Sequence, residues 1–115
     1  MAYSSAHLRK VLDFGGKIGG AMYVYDTADA VATVYAAGYI TDAGSKGMRK
    51  GDLVLHRRWT TAVPAADSEL KTAAGTANIF LGMTWMVVMG LTASGSNGEY
   101  TADLSDGTAV SVTNT

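Results

Sequence analysis

Residues 79–91 read IFLGMTWMVVMGL, the most apolar stretch of this 115-residue chain. A helix needs about 20 apolar residues to cross a bilayer, so this run is far too short to be a span. Glycines at 82 and 90 also interrupt it. Its β-branched and aromatic residues read as one long strand over 79–92, bent at Gly82 or Gly90. Met83, Trp85, Met86, Val87, Val88 and Met89 make that strand apolar on both faces. One face lines the core, and the other needs cover from a helix or from another subunit. Trp85, Val87 and Met89 fall on alternate positions and are the candidate oligomer interface, in a dimer or, preferably, a trimer.

Strand signals continue on both sides. SGSNGEY follows, and Asn97-Gly98 suits a type I′ hairpin turn leading into a strand at Glu99–Leu104, with Thr108–Val112 closing the sheet. Upstream, Leu53–Trp59 alternates, with Leu53, Leu55 and Arg57 on one side and Val54, His56 and Arg58 on the other. Residues 60–78 hold the only proline, Pro64, and read as a long loop. AMYVY at 21–25 is a further short strand. DTADAVATVYAAG after it predicts a helix over about 27–37, with Thr27 or Asp26 as cap, Asp29 in the first turn and Gly38 as stop. Residues 1–20 end in GGKIGG and read as an extended arm that orders on a partner. The expected architecture is mainly β: a small antiparallel sandwich or barrel over 21–115, one short helix, and an N-terminal arm over 1–20.

Composition narrows the function classes. Charged residues are 17% and apolar residues 48%, against about a quarter charged in an ordinary soluble domain. Such a balance suits burial of apolar surface between subunits. The net charge of −1 argues against a general polyanion binder. Residues 1–60 hold eight Lys/Arg against five Asp, or +3, whereas residues 61–115 hold one Lys against five Asp/Glu, or −4. That asymmetry suits contacts between neighbouring subunits or docking on an acidic scaffold. With no cysteine there is no disulfide or thiolate chemistry. MAYSSAHLRK has no secretory apolar core, so the expectation is a soluble, non-secreted chain.

The basic residues crowd into KGMRKGDLVLHRR, residues 46–58, ahead of Trp59. GGKIGG and GSKGMRKGD resemble phosphate loops, but neither lysine is followed by Ser or Thr and neither loop opens a helix. His7 and His56 are the only histidines and lack zinc-ligand spacing. The DTAD oxygens are better explained as a helix cap than as a calcium site. Ser4, Ser5 and His7 imitate a nucleophile and base, yet a flexible arm cannot hold them in place. No catalytic group, metal site or cofactor is expected. Arg-Arg-Trp would suit base stacking on nucleic acid, but the acidic second half opposes it, and Arg and Trp are also enriched where proteins meet.

MAYSSAHL, YVYDTADAVATVYAAGYITDA and GMRKGDLV, taken in order, resemble a family of small virion proteins of tailed bacteriophages, described as head fibre or capsid decoration proteins. The resemblance covers roughly residues 1–55. It rests on Tyr25, Thr27, Asp29, Ala30, Ala32, Thr33, Val34, Ala37, Gly38 and Tyr39, then on Gly47, Met48, Arg49, Gly51 and Asp52. Met22-Tyr23 stands where the family has Trp, Ile40 where Phe is common, and His56-Arg57-Arg58 is more charged than the family strand. The resemblance implies a non-catalytic protein on the capsid surface of the virion, with the major capsid protein as partner. Tyr3, His7, Leu8, Arg9, Lys10, Leu12, Phe14, Arg49, Lys50, Arg57 and Arg58 are then the candidate capsid contacts. A tail or baseplate attachment protein, and a small nucleic-acid-binding barrel, are the alternatives; neither membrane nor nucleic acid is expected as partner.

Overall fold

The structure, a computed structural model, describes residues 3–16, 18–72, 80–94 and 99–111. In chain order its elements are β1 (Leu8–Asp13), β2 (Ala21–Thr27), α1 (Val31–Val34), α2 (Ala43–Lys46), β3 (Leu53–Trp59), β4 (Phe80–Ser94), β5 (Glu99–Leu104) and β6 (Thr108–Val110). Short 3₁₀ turns stand at Ser5–His7 and Asp67–Lys71. The hairpin turn expected at Asn97-Gly98 lies outside the described residues, as does Val112.

The fold is mainly β, as the strand signals imply. Among the described residues it is one open sheet in the order β1-β2-β3-β4-β5, with β6 also paired to β4. Its edges do not join, so of the expected sandwich or barrel the closed barrel is not formed. Nor is the pairing purely antiparallel: β2 and β3 run parallel, with Tyr23 opposite Val54 and Tyr25 opposite His56. Two parallel neighbours need a crossover, and residues 28–52 supply it, carrying α1 and α2 across one face of the sheet.

β4 organises the rest. Its first half pairs with β3, placing Val54 opposite Met86 and Leu55 opposite Trp85. Its second half pairs with β5 after a register shift between Val88 and Gly90, one of the two places where a bend is expected. Beyond β5 the chain returns to β4, where Trp85 faces Thr108. Gly107 sits in that return at φ 91, and a Cβ there would lie 2.5 Å from Thr84 Cγ2. Only a residue without a side chain lets the strand close up at this point.

Strand alternation sorts the side chains onto two faces. Tyr23, Val54 and Met86 stand in line on the inner face and are fully buried. They join Leu8, Tyr25, Val34, Ile40, Ala43, Met48, Val88, Ala102 and Leu104 in the core. Met22, Leu53 and Val87 stand in line on the outer face, as do Val24, Leu55 and Trp85. These outer residues are half-buried, apart from Val87, which is exposed.

The N-terminal segment is extended, as expected, but it is part of the sheet. β1 pairs with β2 antiparallel, Leu8 opposite Tyr25 and Lys10 opposite Tyr23. Lys46 Nζ donates to the carbonyls of Ser5 (2.8 Å) and Leu8 (2.9 Å), and the Tyr3 and Ser5 hydroxyls donate to the Asp42 carboxylate. The GG-rich stretch after β1 is the reversal into β2, closed by Phe14 N–H donating to Gly20 O at 2.9 Å.

The helix expected over 27–37 is one turn, Val31–Val34. β2 continues through Asp26 and Thr27, because the extended backbone there carries Asp26 to Arg57 and Trp59. Thr27 Oγ1 does accept the Asp29 N–H (3.0 Å), but it closes a bend ahead of the helix, whose N-cap is Ala30. An isolated three-turn helix is marginal in water, so these tertiary bonds override the local alanine-rich signal.

Candidate functional site

The basic residues of 46–58 do not form one patch. Lys46 is spent on backbone carbonyls, and Arg49 and Lys50 are exposed on the turn before β3. Arg57 points to the outer face and Arg58 to the inner one, as strand alternation requires.

On the outer face Asp26 collects the charges. Arg57 donates to it through Nε at 2.6 Å and a second guanidinium nitrogen at 3.0 Å, Trp59 Nε1 donates at 3.1 Å, and Arg9 completes the set. Burial pushes the Asp26 carboxyl up, but the Arg57 and Trp59 hydrogen bonds and the Arg57 and Arg9 charges outweigh it. The net shift is downward, and the group is a carboxylate at neutral pH. The Arg57 guanidinium also lies 5.8 Å from the Trp59 ring centre, within cation–π range. Two of the candidate contact arginines are thus tied to one buried acid, with their outer edges left in solvent.

The other candidates scatter. Leu8, placed by sequence at a partner surface, is 1% exposed in the core. Its inward position follows from pairing with Tyr25 on the buried face. Tyr3 packs against the Tyr25 and Tyr39 rings, each with centres 5.6 Å away. His7 is half-buried in the first 3₁₀ turn. Lys10, Leu12 and Phe14 are solvent-exposed on or just after β1, and Arg49 approaches Gly19 across the following turn. Trp85, Val87 and Met89 line an open groove of about 590 Å³ with Leu53, Asp106 and Thr108.

Two buried acids do structural work that sequence assigned to local turns. Tyr25 hydroxyl bonds Tyr39 hydroxyl (2.7 Å), which donates to Asp29 (2.6 Å). Burial and the Asp29 hydrogen bond push the Tyr39 phenol far up, so it stays a donor. Asp52, 1% exposed, accepts the Ala21 and Arg49 N–H groups, and its own strand end pairs with Val88. Gly51, at φ 94, makes the turn that delivers it.

On the inner face sequence missed a second feature. His56 is 1% exposed, and its Nε2 lies 3.2 Å from the Asp29 carbonyl. It lines a cavity of about 230 Å³ together with Arg58. Its alternation with Arg58 two residues later was legible, but which face the crossover would cover was not.

Among the described residues no group of three or more His, Cys, Asp or Glu could hold a metal ion, and no helix is long and apolar enough to cross a membrane. Set against protein-family models, curated proteins and solved structures, the chain has no match.

Proposed function

We propose that this chain is a non-catalytic capsid decoration protein of a tailed bacteriophage, seated on the outside of the head and bridging subunits of the major capsid protein. The observation that carries the docking role is the outer face of the sheet. Met22, Val24, Leu53, Leu55, Trp85 and Val87 lie side by side there, five of them half-buried and Val87 exposed. An apolar face rimmed by arginines is the surface that protein partners bury. The bacteriophage assignment rests on the resemblance of residues 1–55.

In this reading Trp85, Val87 and Met89 join copies of the chain, with a trimer favoured. The β1 edge, through Lys10, Leu12 and Phe14 with the nearby Arg49 and Lys50, meets the shell. Three weak contacts on one trimer act together, so modest affinities per chain suffice to hold it. The division of the arginines between opposite faces favours protein docking over nucleic acid, which would need them along one groove.

Imaging the particle whose genome encodes the chain tests this directly. Copies should stand on the outer head surface in a number set by capsid symmetry, and density confined to the tail, or none on the particle, overturns the reading. Deleting residues 2–18 would remove an edge strand of the sheet, so variants such as Leu12→Asp with Phe14→Asp serve better. They should stay folded and lose at least tenfold in head affinity; undiminished decoration rules out the β1 edge as the contact.

A further inference from the structure

The outer face of the sheet carries its charge at two separate places. At the first, Asp26 draws Arg9 and Arg57 together: both guanidinium groups donate to its Oδ2, so the two nitrogens stand within two hydrogen-bond lengths of each other. Two cations share one buried carboxylate, which leaves a surplus positive charge there. Asp26 takes one guanidinium nitrogen of Arg9 and two of Arg57. Their remaining N–H groups have no carboxylate among the described residues, and the two side chains are 50% and 35% exposed.

At the second place, Asp106 lines the open groove with Leu53, Trp85, Val87 and Met89. Its side chain is exposed and forms no ion pair or hydrogen bond among the described residues. Asp103 adds another exposed acid on this side, since its neighbours Ala102 and Leu104 are buried on the inner face and alternation turns Asp103 outward. The two poles do not meet within one chain. Arg57 lies on β3 and reaches back to β2, whereas Asp106 joins β5 to β6, both of which lie beyond β4. At least two strand spacings, about 10 Å, lie between them, and an ion pair needs about 4 Å or less. The apolar row of Leu55 and Trp85 fills the interval. A face with a positive pole, an apolar centre and a negative pole complements a second copy of itself, set so that unlike poles meet.

We infer that the outer face packs on a second copy of this chain, the Asp106 carboxylate of one copy accepting hydrogen bonds from the outward N–H groups of Arg9 and Arg57 in the next. The inference rests on the proposal that Trp85, Val87 and Met89 join copies, and it adds the polar partners that orient them. Apolar contact gives the burial, and the charges decide which way round the copies sit. Paired guanidinium groups suit a carboxylate, and the bond strengthens as the surrounding contact excludes water. The arrangement also gives a use to the basic first half and acidic second half of the chain. Repeated from copy to copy it closes a ring, each chain giving arginines to one neighbour and an aspartate to the other.

Sedimentation of the full chain over a concentration series tests the contact. Wild type should associate, and less so as NaCl rises from about 0.05 to about 0.5 M. Asp106→Asn and Arg9→Gln should each raise the concentration for half-association about tenfold. Asp67→Asn removes the same charge from the exposed 3₁₀ turn and should change nothing. The double variant of Asp106 and Arg9 should lose no more than either single one, because the second substitution removes a partner already lost. Asp106 has no bond to lose within the described chain, so Asp106→Lys, expected to associate more weakly than Asp106→Asn, keeps the test decisive even should Arg9→Gln unfold. A wild-type chain monomeric at every concentration overturns the joining of copies and this contact with it. Association that Val87→Ser weakens, but that salt and the Asp106 variants leave unchanged, overturns the contact alone. Losses that add fully in the double variant do the same.

Discussion

The two faces of the sheet are built from the same strands yet behave as different materials. At the centre of the inner face the large side chains have cover: Tyr23, Val54 and Met86 are fully buried, and the tyrosines bond to Lys46, Tyr39 and Asp29 in turn. On the outer face the row in register with them, Met22, Leu53 and Val87, remains in partial contact with water. The crossover with its two single-turn helices covers one face, and among the described residues no further helix or strand is available for the other. Free energy of folding therefore concentrates on the inner face, and the outer one keeps part of its apolar surface in water.

Substitutions test that contrast. The largest effect is expected on the inner face. Met86→Ala should cost about 3 kcal/mol, since it leaves a cavity the neighbouring strands cannot close. Urea unfolding measures it, and a loss below about 1 kcal/mol would place Met86 outside the core.

The one strong polar node of the outer face comes next. Asp26→Asn should cost about 2 kcal/mol by the same measurement, less than the 3–5 typical of a fully buried pair. The Arg9 and Arg57 side chains are 50% and 35% exposed, so solvent screens much of their attraction. Asp26 also has a pH signature. Its folded pKa lies below the unfolded value, so its contribution is present above the model-peptide range and fades as pH falls through the folded one.

His56 adds a pH effect of opposite origin. Its folded pKa lies below the unfolded 6.5, so between the two the unfolded chain binds more protons and stability rises with pH. Its contribution is complete above 6.5 and is lost as pH falls below it. The urea midpoint should drop between about pH 7.5 and 5.5, and His56→Gln should flatten that slope. An unchanged slope in the variant would assign the pH dependence elsewhere.

The smallest effect on folding is the most telling about the outer face. Val87→Ser, at a position 42% exposed, should change the stability of the isolated chain by no more than about 0.5 kcal/mol. It should nevertheless shift the self-association seen by light scattering toward monomer. A core-sized loss of stability would mean that this face is already covered within the chain. A wild-type chain that stays monomeric at high concentration would remove the trimer.

How much of this was legible depended on whether the signal was local. β3, β4 and β5 carry their own alternation or apolar runs, and their bounds follow from it. β1 does not: LRKVLD has no clear period, and it becomes a strand because β2 offers an edge and Leu8 fits beneath Tyr25. The helix of 27–37 failed for the converse reason, as Asp26 and Asp29 formed bonds with residues far along the chain. The motifs behind the bacteriophage resemblance also changed meaning. Tyr25, Asp29 and Tyr39 form one hydrogen-bonded chain, and Gly51-Asp52 locks β2 to β4, so those residues hold the fold together.

By itself, then, the amino-acid sequence determined that this is a β-rich domain with one long strand apolar on both faces, because side-chain periodicity and turn chemistry act over a few residues. Tertiary structure alone decided that β2 and β3 run parallel, that the leading segment is an edge strand, and that Arg57 and Arg58 face opposite ways into different chemistry. The path of the crossover over one side of the sheet made those choices, and it is set by contacts between residues tens of positions apart.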